Sequence, residues 1–90
     1  MNKADLVERI AKDTQQTKTS IEATLNAAID IIKKSVKKGD DVTLSGFGTF
    51  TRLRRKARVG RNPQTGKEME IPSMTVPRFR PGKEFKVIVQ

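Results

Sequence analysis

Cysteine, histidine, tryptophan and tyrosine are absent from this 90-residue chain, and its only aromatic residues are four phenylalanines. Without cysteine no disulfide framework can form, and Cys/His zinc sites are excluded with it. Nor can histidine or cysteine act as general base or nucleophile. Acidic residues are scarce: 10 Asp and Glu stand against 19 Lys and Arg, which leaves a formal charge of +9 and a pI near 10.4. No apolar run exceeds three residues, as at Val87-Ile88-Val89. A membrane-spanning helix needs about 20 and a secretory leader about 7–15, so neither is expected and the sequence reads as cytoplasmic. Nothing in it points to a metal, a cofactor, a membrane or a small-molecule substrate.

What remains is small and basic. Ninety residues make one domain, 1–90, and a chain of this size buries only about 60–70% of its unfolded surface. With no disulfide or metal to staple it, pairing with a second copy is the remaining route to an adequate core. The basic excess points to a polyanionic partner, nucleic acid above all.

The charge is unevenly spread. Residues 1–45 hold 8 basic and 7 acidic side chains, whereas residues 46–90 hold 11 and 3, so +8 of the +9 lies in the second half. The first part, 1–39, is helical by pattern. Asn2 with Asp5 suits a helix start, and Leu6, Val7, Ile10 and Ala11 fall on one face. Gln15-Gln16-Thr17 interrupts that pattern. A second helix begins near Thr17 or Thr19, where Thr19 and Glu22 make a capping-box pair. Ile21, Leu25, Ala28, Ile29, Ile32 and Val36 form its apolar stripe, widened by Ala27 and Ile31. Lys33, Lys34, Lys37 and Lys38 suit its C-terminal end, and Gly39 is a natural stop. One short helix cannot cover so broad a face, which favours a dimer core over a helix covered by its own small sheet. The residues expected in that core are Leu25, Ile29, Ile32 and Val36, with Leu44, Phe47, Phe50 and Phe79 from the second part.

Residues 40–90 are β by pattern. Val42 and Leu44 alternate with polar residues, and Gly46 turns the chain. From about 52 to 76 there is almost nothing to bury: between Arg55 and Glu68 only Ala57 and Val59 are apolar. Turn-forming residues cluster at Gly60-Arg61-Asn62-Pro63-Gln64-Thr65-Gly66. The pattern predicts a long two-stranded arm projecting from the body, of which Arg52–Val59 alone would reach ~26 Å. Val76-Pro77-Arg78-Phe79-Arg80 returns as a strand whose proline suits a sheet edge, and Pro81-Gly82 breaks it. Lys83–Val89 reads as a last helix packing Phe85 and Ile88 or Val89, although its β-branched run also suits a strand.

Arg52, Arg54, Arg55, Lys56, Arg58 and Arg61 form a run with no acidic residue inside it. Strand alternation sends Arg55 to one side of the arm and Arg54, Lys56 and Arg58 to the other. A two-stranded ribbon fits a DNA groove, and a guanidinium presents a planar fork of donors to phosphate. A solvated cationic face is the plainer alternative, but six like charges on an unburied ribbon repel one another for no structural gain. Pro63, at the turn, has the rigid apolar ring needed to wedge between base pairs. By composition alone an ordinary turn proline is the favoured reading, since Asn-Pro is a common turn signal.

Several motifs carry a resemblance: Met1-Asn2-Lys3-Ala4-Asp5-Leu6-Val7, Gly46-Phe47-Gly48-Thr49-Phe50, Gly60-Arg61-Asn62-Pro63-Gln64-Thr65-Gly66-Lys67, Ile71-Pro72, Val76-Pro77 and Phe79-Arg80-Pro81-Gly82-Lys83. In this order and spacing they closely resemble the bacterial histone-like HU and integration host factor family, across essentially the whole chain. The resemblance implies an α+β fold forming an intertwined homodimer. Two N-terminal helices make a helical base, a three-stranded antiparallel sheet carries a long β-hairpin arm, and a short C-terminal helix closes the chain. It implies minor-groove binding and bending of double-stranded DNA, with Pro63 as the intercalating tip; that wedge mechanism is the family's own. It further implies arm contacts from Arg55, Arg58 and Arg61 with Asn62, and Lys67, beyond the turn, is expected to add its charge to the DNA-binding set. On the body it implies phosphate contacts from Lys3, Arg80, Lys83 and Lys86 and from the backbone around Gly46 and Gly48. Two positions depart from the pattern. The arm's root usually has an apolar residue followed by a basic one, and Arg52-Leu53 reads in the opposite order. Position 54 is often acidic, and here it is Arg54.

The expected function is therefore non-enzymatic, largely sequence-independent binding and bending of DNA in the bacterial nucleoid, with flexible or nicked forms favoured. Integration-host-factor-like site preference is the nearest alternative. An RNA-binding role is more distant, because all four phenylalanines suit a core and not a base-stacking surface. Asp40-Asp41 and Glu68/Glu70 are the only carboxylate clusters and read as turn and strand-surface residues.

Overall fold

A computed structural model describes all residues, Met1–Gln90. The elements are α1 (Lys3–Thr14), α2 (Lys18–Lys38), β1 (Val42–Leu44), β2 (Gly48–Arg55), β3 (Arg58–Arg61), β4 (Glu68–Ile71), β5 (Met74–Pro81) and α3 (Lys83–Val89). They divide into two compact units, Met1–Lys34 and Ser35–Gln90, with the division inside α2.

Helix α1 begins as its sequence predicts. The Asn2 side chain accepts from the Asp5 N–H at 2.9 Å, and the Asp5 carboxylate accepts from the Asn2 N–H at 3.2 Å. This reciprocal pair satisfies two donors that a helix start leaves free. The helix ends at Gln15, whose φ of 57° is left-handed, and the Gln16 N–H reaches back to the Ala11 carbonyl at 3.1 Å. Helix α2 starts at the first of its two expected positions. Thr17 is the cap, its hydroxyl accepting from the Ser20 N–H at 3.2 Å. Thr19 and Glu22 both lie inside the helix, so the expected Thr19–Glu22 box does not form; a capping hydroxyl must precede the first helical residue, and that residue is Lys18. In the first unit Val7, Ala11 and Ile21 are buried, with Ile10 and Leu25 packed against them.

The far end of α2 closes on Gly39, at φ +97°. Its N–H donates to the Val36 carbonyl at 3.0 Å, and the Asp40 N–H donates to Ser35 at 2.9 Å. This is the double bond pattern that terminates helices at glycine. A turn follows β1, with Gly46 at φ +81° and the Phe47 N–H bonded to the Leu44 carbonyl at 3.0 Å. The left-handed third residue is what such a turn requires.

The second unit holds a three-stranded antiparallel sheet in the order β1-β2-β5. Strand β5 is an edge, as Pro77 predicts, because a proline cannot donate to a further neighbour. All four phenylalanines gather in this unit: Phe47 lies 5.0 Å from Phe79 and 5.2 Å from Phe85 between ring centroids, and Phe50 lies 4.9 Å from Phe79. Phe85 draws Lys83–Val89 into a helix, resolving the choice between helix and strand. Its expected partners are corrected. Ile88 and Val89 are 80% and 71% exposed, and only Phe85 packs. Helical spacing puts one residue of this seven-residue element onto the aromatic cluster and turns its neighbours away.

No side chain in the chain is fully buried. Of the eight residues expected in a shared core, Leu25, Ile29, Ile32, Val36, Phe50 and Phe79 are half-buried, while Leu44 and Phe47 are exposed.

Candidate nucleic-acid interface

Strand β2 continues past the sheet body into the cationic run. Arg52 faces Pro77, Leu53 faces Val76, Arg54 faces Thr75 and Arg55 faces Met74. There the ladder stops. It resumes as a separate two-stranded ribbon in which Arg58 faces Ile71, Val59 faces Glu70, Gly60 faces Met69 and Arg61 faces Glu68. The expected arm of two unbroken strands is thus corrected: residues 56–57 and 72–73 fall outside any strand. Pro72 sits in that gap and has no N–H for a ladder bond.

The gap alters where the cations stand. Strict alternation would part Arg55 from Lys56 and Arg58. Instead all three border one open cleft of about 340 Å³, together with Ile71, Pro72 and Met74. Beyond the gap alternation returns. A methyl group placed on Gly60 would come 2.8 Å from the Ile71 Cδ1, so both lie on one face with Arg58 and Met69. Val59, Arg61, Glu68 and Glu70 share the other.

The turn joining β3 and β4 spans 62–67, which leaves Gly60 and Arg61 in the strand. The Asn62 N–H donates to the Lys67 carbonyl at 2.9 Å, and the Gly66 N–H donates to the Asn62 carbonyl at 2.7 Å. The Asn62 side chain accepts from the Gln64 N–H at 2.9 Å, across Pro63. That local bond holds the turn from inside and leaves the Pro63 ring exposed at the end of the ribbon.

The three ion pairs of the chain, Arg9–Asp13, Lys18–Glu8 and Lys34–Asp30, all lie in α1 and α2. Arg54, Arg55, Lys56, Arg58, Arg61, Lys67, Arg80, Lys83 and Lys86 are exposed and take no part in them. Two other expected contacts are engaged within the chain. The Lys3 ammonium donates to the Asn26 side chain at 2.9 Å and keeps two further donors. The Arg52 guanidinium donates to the Lys37 carbonyl at 3.2 Å. Of the glycines expected to offer backbone, Gly46 is exposed and Gly48 is buried, with the Phe79 ring and the Arg80 carbonyl 2.6 Å from where a Cβ would stand.

Sequence reasoning missed three features: the cleft, the Arg52 bond and the pairing of Arg61 with Glu68. Only the last left a readable signal. Counting back from a turn closed by Asn62 and Lys67 sets Arg61 opposite Glu68.

An antiparallel cationic ribbon, grown out of a three-stranded sheet in a chain that opens with two helices, defines a β-ribbon nucleic-acid-binding protein of the α+β class. Residues 1–90 match the family described as Bacterial DNA-binding protein, and the chain belongs to that family. DNA-binding protein HU-beta of Salmonella typhimurium is 50% identical over 86 residues, 96% of either chain. DNA-binding protein HU of Geobacillus stearothermophilus is 46% identical over 90 residues, the full length of both. Among solved structures, the HU chain of an Anabaena HU–DNA cocrystal matches with a TM-score of 0.93 at 48% identity, over 99% of this chain and 97% of that one. HU from Thermotoga maritima matches over the whole of both chains with a TM-score of 0.71 at 27% identity.

Proposed function

We propose that this chain is an architectural DNA-binding protein that binds double-stranded DNA as a homodimer and bends it with little sequence preference. The observation that carries the reading is a ribbon of unpaired cations ending in an exposed proline, on a chain closely similar to the HU of an HU–DNA cocrystal. Arg54, Arg55, Lys56, Arg58, Arg61 and Lys67 supply the charge of each arm, Asn62 shapes its tip and Pro63 is the wedge. Unstacking one base step costs a few kcal/mol, offset by the larger protein surface that bent DNA can touch. Lys3, Arg80, Lys83 and Lys86, with the backbone around Gly46 and Gly48, bind phosphates on the body. Contacts to phosphate position a protein without reading sequence, in keeping with the lack of preference.

The half-buried and exposed apolar set supports the dimer. Leu44 and Phe47 are 44% and 42% exposed in one chain, and a second copy removes them from water together with Leu25, Ile29, Ile32, Val36, Phe50 and Phe79. The whole of 1–90 acts as one DNA-binding domain, with 1–39 as its helical dimerisation part, 40–90 as its sheet part and 52–76 as the arm. The chain works in the bacterial nucleoid, by binding and not by catalysis. Its carboxylate pairs have structural surroundings: Asp41 accepts from the Thr51 hydroxyl at 2.5 Å, and Glu68 and Glu70 lie on the tip ribbon.

Binding to intact, nicked and gapped duplexes, with the mass of the free protein measured alongside, tests the reading. Tighter binding to the nicked and gapped forms by a dimer is expected. Indifference to the nick would reduce the protein to a plain polycation. A preference above ~10³ for one sequence would instead mark site recognition of the integration-host-factor kind. Stronger binding to structured RNA would overturn the choice of partner.

A further inference from the structure

We infer that Arg52 is a positioning residue that ties the root of the arm to the last turn of α2, and is not one of the groups that neutralise DNA phosphate. The inference rests on the DNA-binding reading above and deepens it.

The C-terminus of α2 makes the case. A helix leaves its last four carbonyls without partners inside the helix. In α2 these belong to Ser35, Val36, Lys37 and Lys38. Ser35 and Val36 accept from the Asp40 and Gly39 N–H groups, the two bonds of the glycine stop. The Lys37 carbonyl accepts from Arg52 Nη1, fifteen residues away in β2. The partial negative charge at a helix C-terminus favours a cation there.

The surroundings of Gly39 describe the same placement of the guanidinium. A Cβ at this position would meet Arg52 Nη2 at 2.8 Å, Cζ at 3.2 Å and Nε at 3.4 Å. The guanidinium therefore lies close over Gly39. The order of residues at the arm's root fits this placement. Leu53 pairs with the half-buried Val76, while Arg52, on the opposite face of β2, turns to the helix end.

The Arg52 guanidinium is exposed, but with one of its five N–H donors on the Lys37 carbonyl and its plane over Gly39 it ties the root of β2 to the α2 terminus. The arm then leaves the sheet in a fixed direction, and less ordering remains to be done when DNA is bound. Arg52 acts on DNA through the direction of the arm, and its charge stays with the protein.

The test compares the native chain with Arg52→Ala, Arg52→Lys and Arg58→Ala. Duplex affinity is measured against salt, and amide hydrogen exchange is followed at Gly39 and Asp40. Arg52→Ala is expected to weaken binding roughly threefold to tenfold while keeping the log–log salt slope within about 0.3 of native. Arg58→Ala should lower that slope by roughly 0.9. Exchange at Gly39 and Asp40 should quicken at least about threefold in Arg52→Ala, and Arg52→Lys should restore most of the protection. A slope lowered by roughly 0.9 in Arg52→Ala overturns the proposal, as does unchanged exchange at both amides. Arg52→Gln, which keeps the aliphatic stem, gives the same neutral comparison should the alanine variant not fold. If the native chain binds no duplex, the DNA-binding reading fails, and the exchange measurements still decide whether Arg52 holds the helix end.

Discussion

Arg61 stands directly opposite Glu68 across the ribbon at the end of the arm. Residues facing each other across an antiparallel pair share a face, so this acid and its neighbour Glu70 lie beside the arginine nearest the tip. The second half of the chain holds only three acidic residues, and two of them are here. They reduce the positive field of the ribbon around Arg61. Glu68→Gln should therefore tighten duplex binding about two- to fivefold at low salt, the ~0.4–1 kcal/mol expected of one exposed charge. Fluorescence anisotropy checks this, and the effect should fade toward 1 M salt, where the Debye length falls to ~3 Å. Tightening that persists at high salt would mean that the side chain acts by shape and not by charge.

Arg58 borders the cleft at the break in the arm, with Arg55 and Lys56 beside it. If it meets a phosphate, its loss releases one fewer counterion on binding. Arg58→Ala should lower the slope of log affinity against log salt by roughly 0.9, with the loss of affinity similar across unrelated duplexes. An unchanged slope would remove Arg58 from the phosphate contacts.

Much of the fold was legible because local rules and the tertiary outcome agree. Asn2 with Asp5, Gly39 after a lysine-rich helix end, and Gly46 between two short strands each impose one backbone geometry, and each adopts it. The tip turn was legible for the same reason. The break in the arm was not, because Pro72 taken alone suits an edge strand as well as a gap. Between the two expected starts, Thr17 and Thr19, the capping-box pattern of Thr19 and Glu22 pointed to the wrong one, because the cap depends on where the helix begins and helix ends are poorly marked in sequence. The Arg52 bond joins residues fifteen positions apart, in a helix and a strand, and no periodicity reports such a pair. Only the last of these is a contact distant in sequence; the other two turned on choices that are locally equivalent.

Gln15 offers a test of the first unit that does not involve DNA. It is the only non-glycine residue with positive φ, at 57°, where it ends α1. A side chain in this conformation costs about 1–2 kcal/mol, partly offset in a glycine variant by the greater freedom of its unfolded chain. Gln15→Gly should therefore stabilise the protein by about 0.5–1 kcal/mol. Urea denaturation at one fixed protein concentration measures it, since the stability of an associating chain depends on concentration. Destabilisation would mean that the Gln15 side chain makes a contact worth more than the backbone strain.

Pro63 gives the sharpest separation between binding and bending. The Asn62 side chain bonds to the Gln64 N–H at 2.9 Å, so the turn is held from both sides of the proline without using its ring. Replacing the ring should leave the turn in place and remove only what it presents outward. A wedge contributes where a base step must be opened, and much less where a nick or gap has already broken the stack. Pro63→Ala should accordingly lose affinity for intact duplex while binding nicked duplex nearly as well as the native protein. The bend of intact DNA, read by energy transfer between dyes at its two ends, should decrease. The salt slope should stay within about 0.3 of native, because no charge has been removed. A variant that bends intact DNA as far as the native protein would show that the arms bend DNA by charge alone, with Pro63 merely turning the chain.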